Sequence, residues 1–528
     1  MKITEVILKD KNIDKLQFGD INIFVGPNGV GKTTIMNEIR DSFGRNALEN
    51  NYWVSNVIDG GIEKDDAEII LKYVNSETEL KDSGEVINKY HFKHYKTILG
   101  RYDLHSPANH VYNDDEYKKI VSLSKGRRKR SIHLVNQTCT NTLLVGYENT
   151  QDRLSLAGEH DIADFDLPIT DSINNIFLNK EYQEVLNKVF ISCFNRPLTF
   201  SNHRGKKIEI LVGELNSDKI DNIPVGETSS TERGRLFKVD NVGDGIRAAS
   251  KLLISLFNPE SRVIFIDEPE AFIHPKQKMR IAKEIKKLAK ENKKQLFLST
   301  HDATFLAGLI DDKESDIDVG IFYIKNNKKI VPLDNFSVDD GRLKPGTKQQ
   351  KYFQSLFYDG SIFVEGVDDR CFYENTFEYV FAKELSQADV VYTDLGTVSN
   401  AHKQITKFVR ESEINAVFIF DNNVISTDPG KQQKLVDTYE DLGGEKKLRD
   451  ILEKLDGSVA ELGKLDKILK EVGIFISPYN DIEGFVMRVS KRDDDFPYKS
   501  IQSINEKPSR KFKTFGEDVI NYLLHNKH

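Results

Sequence analysis

The residues able to do chemistry lie in a few short stretches. Gly26-Pro27-Asn28-Gly29-Val30-Gly31-Lys32-Thr33-Thr34 satisfies G-x-x-x-x-G-K-[ST] at every fixed position. In such a loop the glycines let backbone N–H groups turn inward as an anion nest, and the helix that follows adds partial positive charge. Gly26, Asn28, Gly29, Gly31 and Thr34 are expected to line the cradle. Lys32 reaches the β- and γ-phosphates, and the Thr33 hydroxyl ligates Mg2+. The ligand implied is a nucleoside triphosphate, read as ATP.

Further along, Arg262-Val263-Ile264-Phe265-Ile266-Asp267-Glu268-Pro269 is an apolar run ending in two carboxylates. Asp267 is placed to hold Mg2+ through water, and Glu268 to orient or deprotonate the attacking water. A second apolar run, Gln295 to Asp302, ends at His301, positioned to contact the γ-phosphate and sense its loss. Between loop and carboxylates, Val242-Gly243-Asp244-Gly245-Ile246-Arg247 puts Gly243 and Gly245 before a helix, a second anion site. One chain has one γ-phosphate to bind, so this site implies a partner's nucleotide and a head-to-tail pair sandwiching two ATP molecules.

The second half repeats the acid-tipped design. Ser361–Glu365 and Ala416–Asp421 are apolar runs ending in acid, and Tyr479–Phe485 adds Asp481 and Glu483. Carboxylates at successive strand ends of one sheet converge on an oxygen-liganded Mg2+ or Mn2+ site. Two such ions can polarise a phosphodiester and activate water.

These residues need strands and helices to place them. Ile21–Val25 reads as the strand before the glycine loop and Ile35–Ile39 as the first turns of the helix after it. Ile3–Leu8 is expected as one strand and Lys15–Phe24 as a second. Buried parallel strands carry their C-terminal residues to the ligand edge of an α/β sheet. Ala248–Phe257 and Lys276–Glu291 read as helices, the latter with Ile281, Ala282, Ile285, Leu288 and Ala289 on one face. In the second half a helix is expected from near Asp369, a strand at Tyr392–Gly396, and a helical insertion over Lys446–Gly473. Lys491–Lys513 reads as an irregular surface segment before a last helix, Phe515–Leu524. The polar stretch Asp339–Lys351 separates an ATPase domain, 1–350, from a second domain, 351–528.

Residues 45–235 read as material inserted between the loop and the carboxylate strand. Glu68–Val74 and Glu85–Tyr95 look like paired strands about Ser83-Gly84. Lys89–Tyr95 interleaves bases and aromatics, which suits stacking on nucleic acid or a half-buried strand with a solvated basic face. Lys125–Arg130 holds five cations in six residues, which suits a phosphate backbone or an exposed loop.

At 528 residues the chain is too long for one core, and the net charge of −8 carries no global nucleic-acid signature. Cys139, Cys193 and Cys371 form no C-x-x-C pair, which fits a reducing compartment. With neither a signal peptide nor an apolar run of membrane length, the expected location is cytoplasmic, with no membrane partner.

Taken together, Gly26–Thr34, Gly243–Arg247, Asp267-Glu268-Pro269-Glu270 with His274-Pro275, and Ser299-Thr300-His301 resemble the ABC-type ATPase heads of the SMC, RecF and overcoming-lysogenization-defect (OLD) families. Glu-Pro-Glu followed by His-Pro is similar to the OLD-like branch. The signature loop lacks the Ser-Gly-Gly of transporters. The second half resembles a TOPRIM-type nuclease domain of the kind fused to OLD-like ATPases. Glu365 matches the first-strand glutamate, Asp369 the acid one turn later, Asp421 the second-strand aspartate, and Asp481 with Glu483 the late pair. Where that family has Asp-x-Asp, this chain has Asp421-Asn422-Asn423, and asparagine brings no charge to a cation.

The resemblance implies an α/β fold with an ABC-type P-loop head, a β-rich and helical insertion, and a C-terminal TOPRIM-like α/β domain. The layout is similar to single-chain PARIS-type anti-phage proteins. It implies an ATP-gated nuclease with a nucleic acid substrate, Glu365 among its catalytic groups and a phage-encoded trigger. Two other readings stand beside it. One is an ATPase scaffold whose degenerate second domain binds a partner or nucleic acid without cutting. The other is a RecF-like repair ATPase gripping duplex through Lys125–Arg130.

Overall fold

The computed structural model describes residues 1–9, 13–43, 50–80, 86–92, 114–126, 144–163, 169–202, 207–213, 236–310, 317–333, 353–395, 399–425, 429–445, 448–453, 459–479, 485 and 498–525. These residues fall into two compact units. One comprises Met1–Phe24, Gly31–Thr300 and Thr304–Ile321; the other comprises Val25–Val30, His301–Ala303 and Phe322–His528.

In the first unit, β1 (Ile3–Leu8) is the expected strand, but the run Lys15–Phe24 is two strands, β2 (Lys15–Gln17) and β3 (Ile21–Val25). The break has a local cause. Gly19 N–H donates to Asn22 Oδ1 at 2.9 Å, and Asn22 Nδ2 donates back to the Gly19 carbonyl at 3.1 Å. This clasp turns the chain so that β2 pairs with β1, whereas β3, buried at every position, enters another sheet. β4 (Val54–Asp59) completes the sheet of order β2-β1-β4.

The expected strand Glu68–Val74 is instead the end of a helix, Lys64–Tyr73. Asp65 and Asp66 sit in its first turn, favourable at a helix N-terminus, and Asp66 accepts from Glu63 N–H at 2.9 Å. Ala67 and Ile70, three residues apart, are both buried, which is helical spacing. The hairpin itself exists, shifted along the chain: β5 (Val74–Leu80) pairs antiparallel with β6 (Val86–Phe92). The turn Ser83-Gly84 and residues Arg127 to Arg130 lie outside the described residues.

The middle of the chain supplies β7 (Val145–Glu148), then β8 (Glu159–Asp161), β9 (Leu198–Ser201), β10 (Lys207–Gly213) and β11 (Leu236–Lys238). The last four form one sheet centred on β10. β7 instead runs parallel to β12 (Val263–Asp267), which runs parallel to β13 (Gln295–Thr300). With β14 (Val319–Ile324) and β15 (Ile330–Pro332), the order is β15-β14-β3-β13-β12-β7. The P-loop strand β3 thus lies next to β13, and the carboxylate strand β12 lies one place further on. Residues 45–235 are therefore not insertion alone, because β7 belongs to the sheet that carries the site.

Phe265 stacks on Phe297 at 4.8 Å, joining β12 to β13 inside the core. The helix Pro275–Glu291 buries Ile281, Ala282, Ile285, Leu288 and Ala289, the face expected of it. Its start explains the His-Pro pair: Pro275 occupies the first helical turn, where no N–H is needed, and His274 Nδ1 accepts from Lys276 N–H at 3.3 Å. The helix Asp244–Ser255 begins four residues before the expected Ala248.

The second unit is built on β16 (Gly360–Val364), β17 (Val390–Asp394), β18 (Ala416–Phe420) and β19 (Ile474–Ile476), all parallel, in the order β17-β16-β18-β19. Helices Leu448–Glu453 and Val459–Glu471 occupy the expected helical insertion. Lys491–Lys513 is not wholly irregular: Tyr498–Glu506 is a helix, and the last helix begins at Arg510 and runs to His525. Ile504, Phe512 and Phe515 from this tail are buried with Phe372, Tyr373, Phe377 and Phe485 in the unit's core. Charge on the outer faces of these helices disguises the apolar inner face. The stretch Asp339–Lys351 lies outside the described residues.

Candidate functional site

The glycine loop has the backbone that its sequence demands. Gly26, Gly29 and Gly31 have φ of 151°, 79° and 104°, in the region that side chains disfavour. A Cβ at Gly26 would lie 2.3 Å from the Ile324 carbonyl oxygen. At Gly31 the indole of Trp53 stands 3.3 Å from the place of a Cβ. Glu38, on the P-loop helix Lys32–Ser42, accepts from the N–H groups of Tyr52, Trp53 and Val54 at 2.7–3.0 Å and so ties the backbone that carries that indole to the helix.

Lys32 and Thr33 open this helix. Burial lowers the Lys32 ammonium from its ordinary pKa, while the nearby charges of Glu268, Glu270 and Asp267 oppose the shift. Thr33 Oγ1 donates to Asp267 Oδ1 at 2.9 Å, and Ser299 Oγ donates to the same carboxylate oxygen. The P-loop and the carboxylate strand, far apart in sequence, are therefore locked at one point. A loop only glycine can form, a buried cation and an acid bonded to the P-loop hydroxyl together fit a nucleoside triphosphate with its divalent ion.

Glu268 is one residue beyond β12 with φ of 47°, left-handed backbone at a non-glycine position. Its N–H donates to the Ser299 carbonyl at 3.0 Å and to Ser299 Oγ at 3.3 Å. Thr300 Oγ1 donates to Glu270 Oε1 at 2.8 Å, so β13 organises the acids that follow β12.

The sequence reading missed Arg153. It belongs to a short 3-10 turn, Asp152–Ser155, and its side chain is fully buried. Nη1 donates to the Asp267 carbonyl at 2.7 Å and Nη2 to the Glu268 carbonyl at 2.5 Å. Burial lowers its pKa, and Glu270, Glu148, Asp267 and Glu268 counter that effect. No motif pointed to it, because it lies in the middle stretch whose pairing with β12 is visible only in the fold.

His301 directly follows β13 and is exposed. Gly243 caps the helix Asp244–Ser255, and among the described residues a Cβ there would meet no neighbouring atom within 4 Å beyond its own chain neighbours and helix backbone. Gly245 has a packing reason: a Cβ there would sit 2.5 Å from the Phe272 carbonyl oxygen.

In the second unit β16, β17 and β18 end at one edge. Val364 is level with Asp394 on one side and Ile419 on the other, so Glu365, Asp394 and Asp421 follow or end adjacent strands. Asp394 is a further missed acid, although it ends an apolar run as its neighbours do; Arg370 lies 3.8 Å from it. Asp369 Oδ2 accepts from Gly366 N–H at 2.9 Å and so starts the helix Val367–Val380. Lys434 Nζ donates to Glu365 Oε1 at 3.0 Å and lies 5.7 Å from the Phe420 ring centre. Among the described residues no group of three His, Cys, Asp or Glu side chains is gathered as a metal site. Asp481 and Glu483 lie outside the described residues.

Residues 152–307 match the family model described as "AAA domain, putative AbiEii toxin, Type IV TA system". That span contains Arg153, the signature glycines, Asp267-Glu268 and His301, and adjoins β7; the glycine loop precedes it. The chain carries a P-loop ATPase domain. It is 22% identical over 389 residues to Endonuclease GajA of Bacillus cereus (strain HuB5-5), covering 70% of this chain and 51% of that protein, so it spans about half the length of that relative. The SMC head domain from Thermotoga maritima aligns at 16% identity and a TM-score of 0.29, over 63% of this chain and 99% of that one. The C-terminal region of the Burkholderia pseudomallei OLD protein aligns at 14% identity and a TM-score of 0.21, over 33% and 100%. The α/β class expected from the sequence is the one observed, with a P-loop ATPase domain followed by a second α/β unit built on a parallel sheet. Among the described residues no helix is long and apolar enough to cross a membrane.

Proposed function

We propose that this chain binds and hydrolyses ATP, and that its second unit is a TOPRIM-like, metal-dependent nuclease module acting in bacterial anti-phage defence. The observation that carries the ATPase reading is the Thr33 to Asp267 hydrogen bond at 2.9 Å, which joins the phosphate loop to the carboxylate strand. Thr33 and Asp267 would hold Mg2+, which supplies charge neutralisation on the β- and γ-phosphates when bound. Lys32 reaches the same phosphates, Glu268 takes the proton of the attacking water, and His301 contacts the γ-phosphate. Gly243 and Gly245 would place the N-terminus of the helix Asp244–Ser255 against the nucleotide of a second copy, giving head-to-tail pairs. The domain division at 350 belongs to the same reading.

The nuclease reading rests on Glu365, Asp394 and Asp421 at one edge of a parallel sheet and on the likeness to a protein named an endonuclease. Asp369, Asp481 and Glu483 complete the acids assigned to Mg2+ or Mn2+. The substrate is nucleic acid and the trigger phage-encoded. The test is Mn2+-dependent cleavage of DNA and RNA, with and without ATP, by wild type and Glu365→Ala. Cleavage lost in Glu365→Ala while ATP hydrolysis persists supports the reading. A wild type that cuts neither polymer under any nucleotide condition refutes it.

A second reading has its own observation. Lys434 places an ammonium on Glu365, and asparagines stand at 422 and 423. Both features lower the attraction for a divalent ion, which favours a scaffold that binds a partner without cutting.

A further inference from the structure

We propose that Arg153 is a positioning residue for ATP hydrolysis, holding Glu268 in its working conformation through the main-chain carbonyls of Asp267 and Glu268. The proposal rests on the reading of Glu268 as the group that acts on water. A non-glycine residue with φ of 47° is disfavoured and persists only where its surroundings over-determine it. Here the restraint comes from both sides. Ser299 accepts the Glu268 N–H, and Arg153 grips the carbonyls on either side of the Asp267–Glu268 step. The planar guanidinium suits this task, because its two terminal nitrogens reach two successive carbonyls at once; an ammonium is a single point donor without that fork. Among the described residues the hydrogen bonds of Arg153 go to these two carbonyls and, at 3.4 Å, to the Thr150 hydroxyl, and none goes to a carboxylate oxygen, so it acts through Glu268.

The clamp is itself tied to the helix Asp244–Ser255, whose N-terminus carries the signature glycines. Lys251 Nζ donates to the Asp152 carbonyl at 2.9 Å and to Ser155 Oγ at 3.0 Å. Arg247 Nε donates to the Leu156 carbonyl at 3.0 Å. These bonds reach Asp152 on one side of Arg153 and Ser155 and Leu156 on the other. Any displacement of that helix therefore reaches Glu268 through Arg153. The bland alternative is a buried arginine that merely neutralises four nearby acids. Charge alone would then suffice, and lysine would serve as well.

The experiment compares Arg153→Lys and Arg153→Met in the wild-type chain and in Glu268→Gln, reading binding of a fluorescent ATP analogue, kcat, KM and thermal unfolding. Arg153→Lys is expected to bind the analogue with affinity near that of wild type and to keep KM, while kcat falls about 10- to 100-fold, as displacement of a catalytic group predicts. In the Glu268→Gln background neither substitution lowers the residual rate further. Wild-type kcat in Arg153→Lys overturns the proposal, and so does an additive loss in the double variant. If Arg153→Met fails to fold, the lysine variant still decides. A Glu268→Gln protein hydrolysing at the wild-type rate refutes the role of Glu268 itself, and that result is read independently of Arg153.

Discussion

Thr33 Oγ1 and Asp267 Oδ1 are separated by 234 residues of chain and by 2.9 Å in space. The bond crosses from the first turn of the P-loop helix to the last residue of β12. Ser299 shares the same acceptor, so three elements meet at one carboxylate oxygen. Thr33→Val removes the donor while keeping the side-chain shape. With Ser299 still donating to Asp267, it is expected to leave the thermal midpoint almost unchanged while lowering Mg2+-dependent ATP turnover. Equal turnover in Thr33→Val and wild type would remove Thr33 from the site.

Lys32 and Glu268 should separate binding from turnover. Lys32→Ala is expected to weaken binding of a fluorescent ATP analogue by at least about 10-fold, or ~1.4 kcal/mol. Glu268→Gln should bind with wild-type affinity and turn over about 100- to 10,000-fold more slowly, the range for loss of a general base. Calorimetric titration and phosphate release measure the two effects.

The Lys434 to Glu365 pair makes a prediction about cations. Lys434→Gln removes a positive charge that competes for Glu365 and should tighten Mn2+ binding several-fold, whereas Glu365→Ala should weaken it. Calorimetry on the full chain distinguishes these outcomes. Identical affinities in all three proteins would show that Glu365 ligates no metal.

Lys294 predicts a pH dependence of stability. Its ammonium is buried and donates to the carbonyls of Asn258 and Ser261, and burial pushes its pKa down to about 7 from 10.5. Between those values the unfolded chain carries a proton that the folded chain lacks. Stability contributed by this group therefore rises with pH across that window. Urea unfolding at pH 7, 8 and 9 should show a steeper rise for wild type than for Lys294→Met. Parallel curves would contradict the assignment.

Phe512 tests the corrected tail. It is fully buried and packs edge-on against Phe372, Phe377 and Phe485 at 5.4–6.1 Å between ring centres. Phe512→Ala should cost about 3–5 kcal/mol in urea unfolding. A loss below about 0.5 kcal/mol, ordinary for a surface position, would return the tail to an exposed segment.

Much of the candidate nucleotide site was legible in one dimension because each part is local. Glycines at fixed spacing encode the nest, an apolar run encodes a buried strand, and acids at its end encode a ligand edge. The same logic placed Glu365 and Asp421, and applied to Val390–Asp394 it would also have found Asp394. Short-range signals also misled. The clasp between Gly19 and Asn22 split a strand, and the acidic start of Lys64–Tyr73 marked a helix where a strand was expected.

Arg153, β7 and Lys434 were decided by the tertiary fold alone. Arg153 matters because β7 runs beside β12 and brings a short turn under the carbonyls of Asp267 and Glu268. Lys434 matters because the helix Pro429–Asp441 reaches the end of β16. Residue type and spacing determine what a segment can bind. Pairing between distant strands determines which buried charge stands beside it, and that information is held in packing rather than in any one stretch of chain.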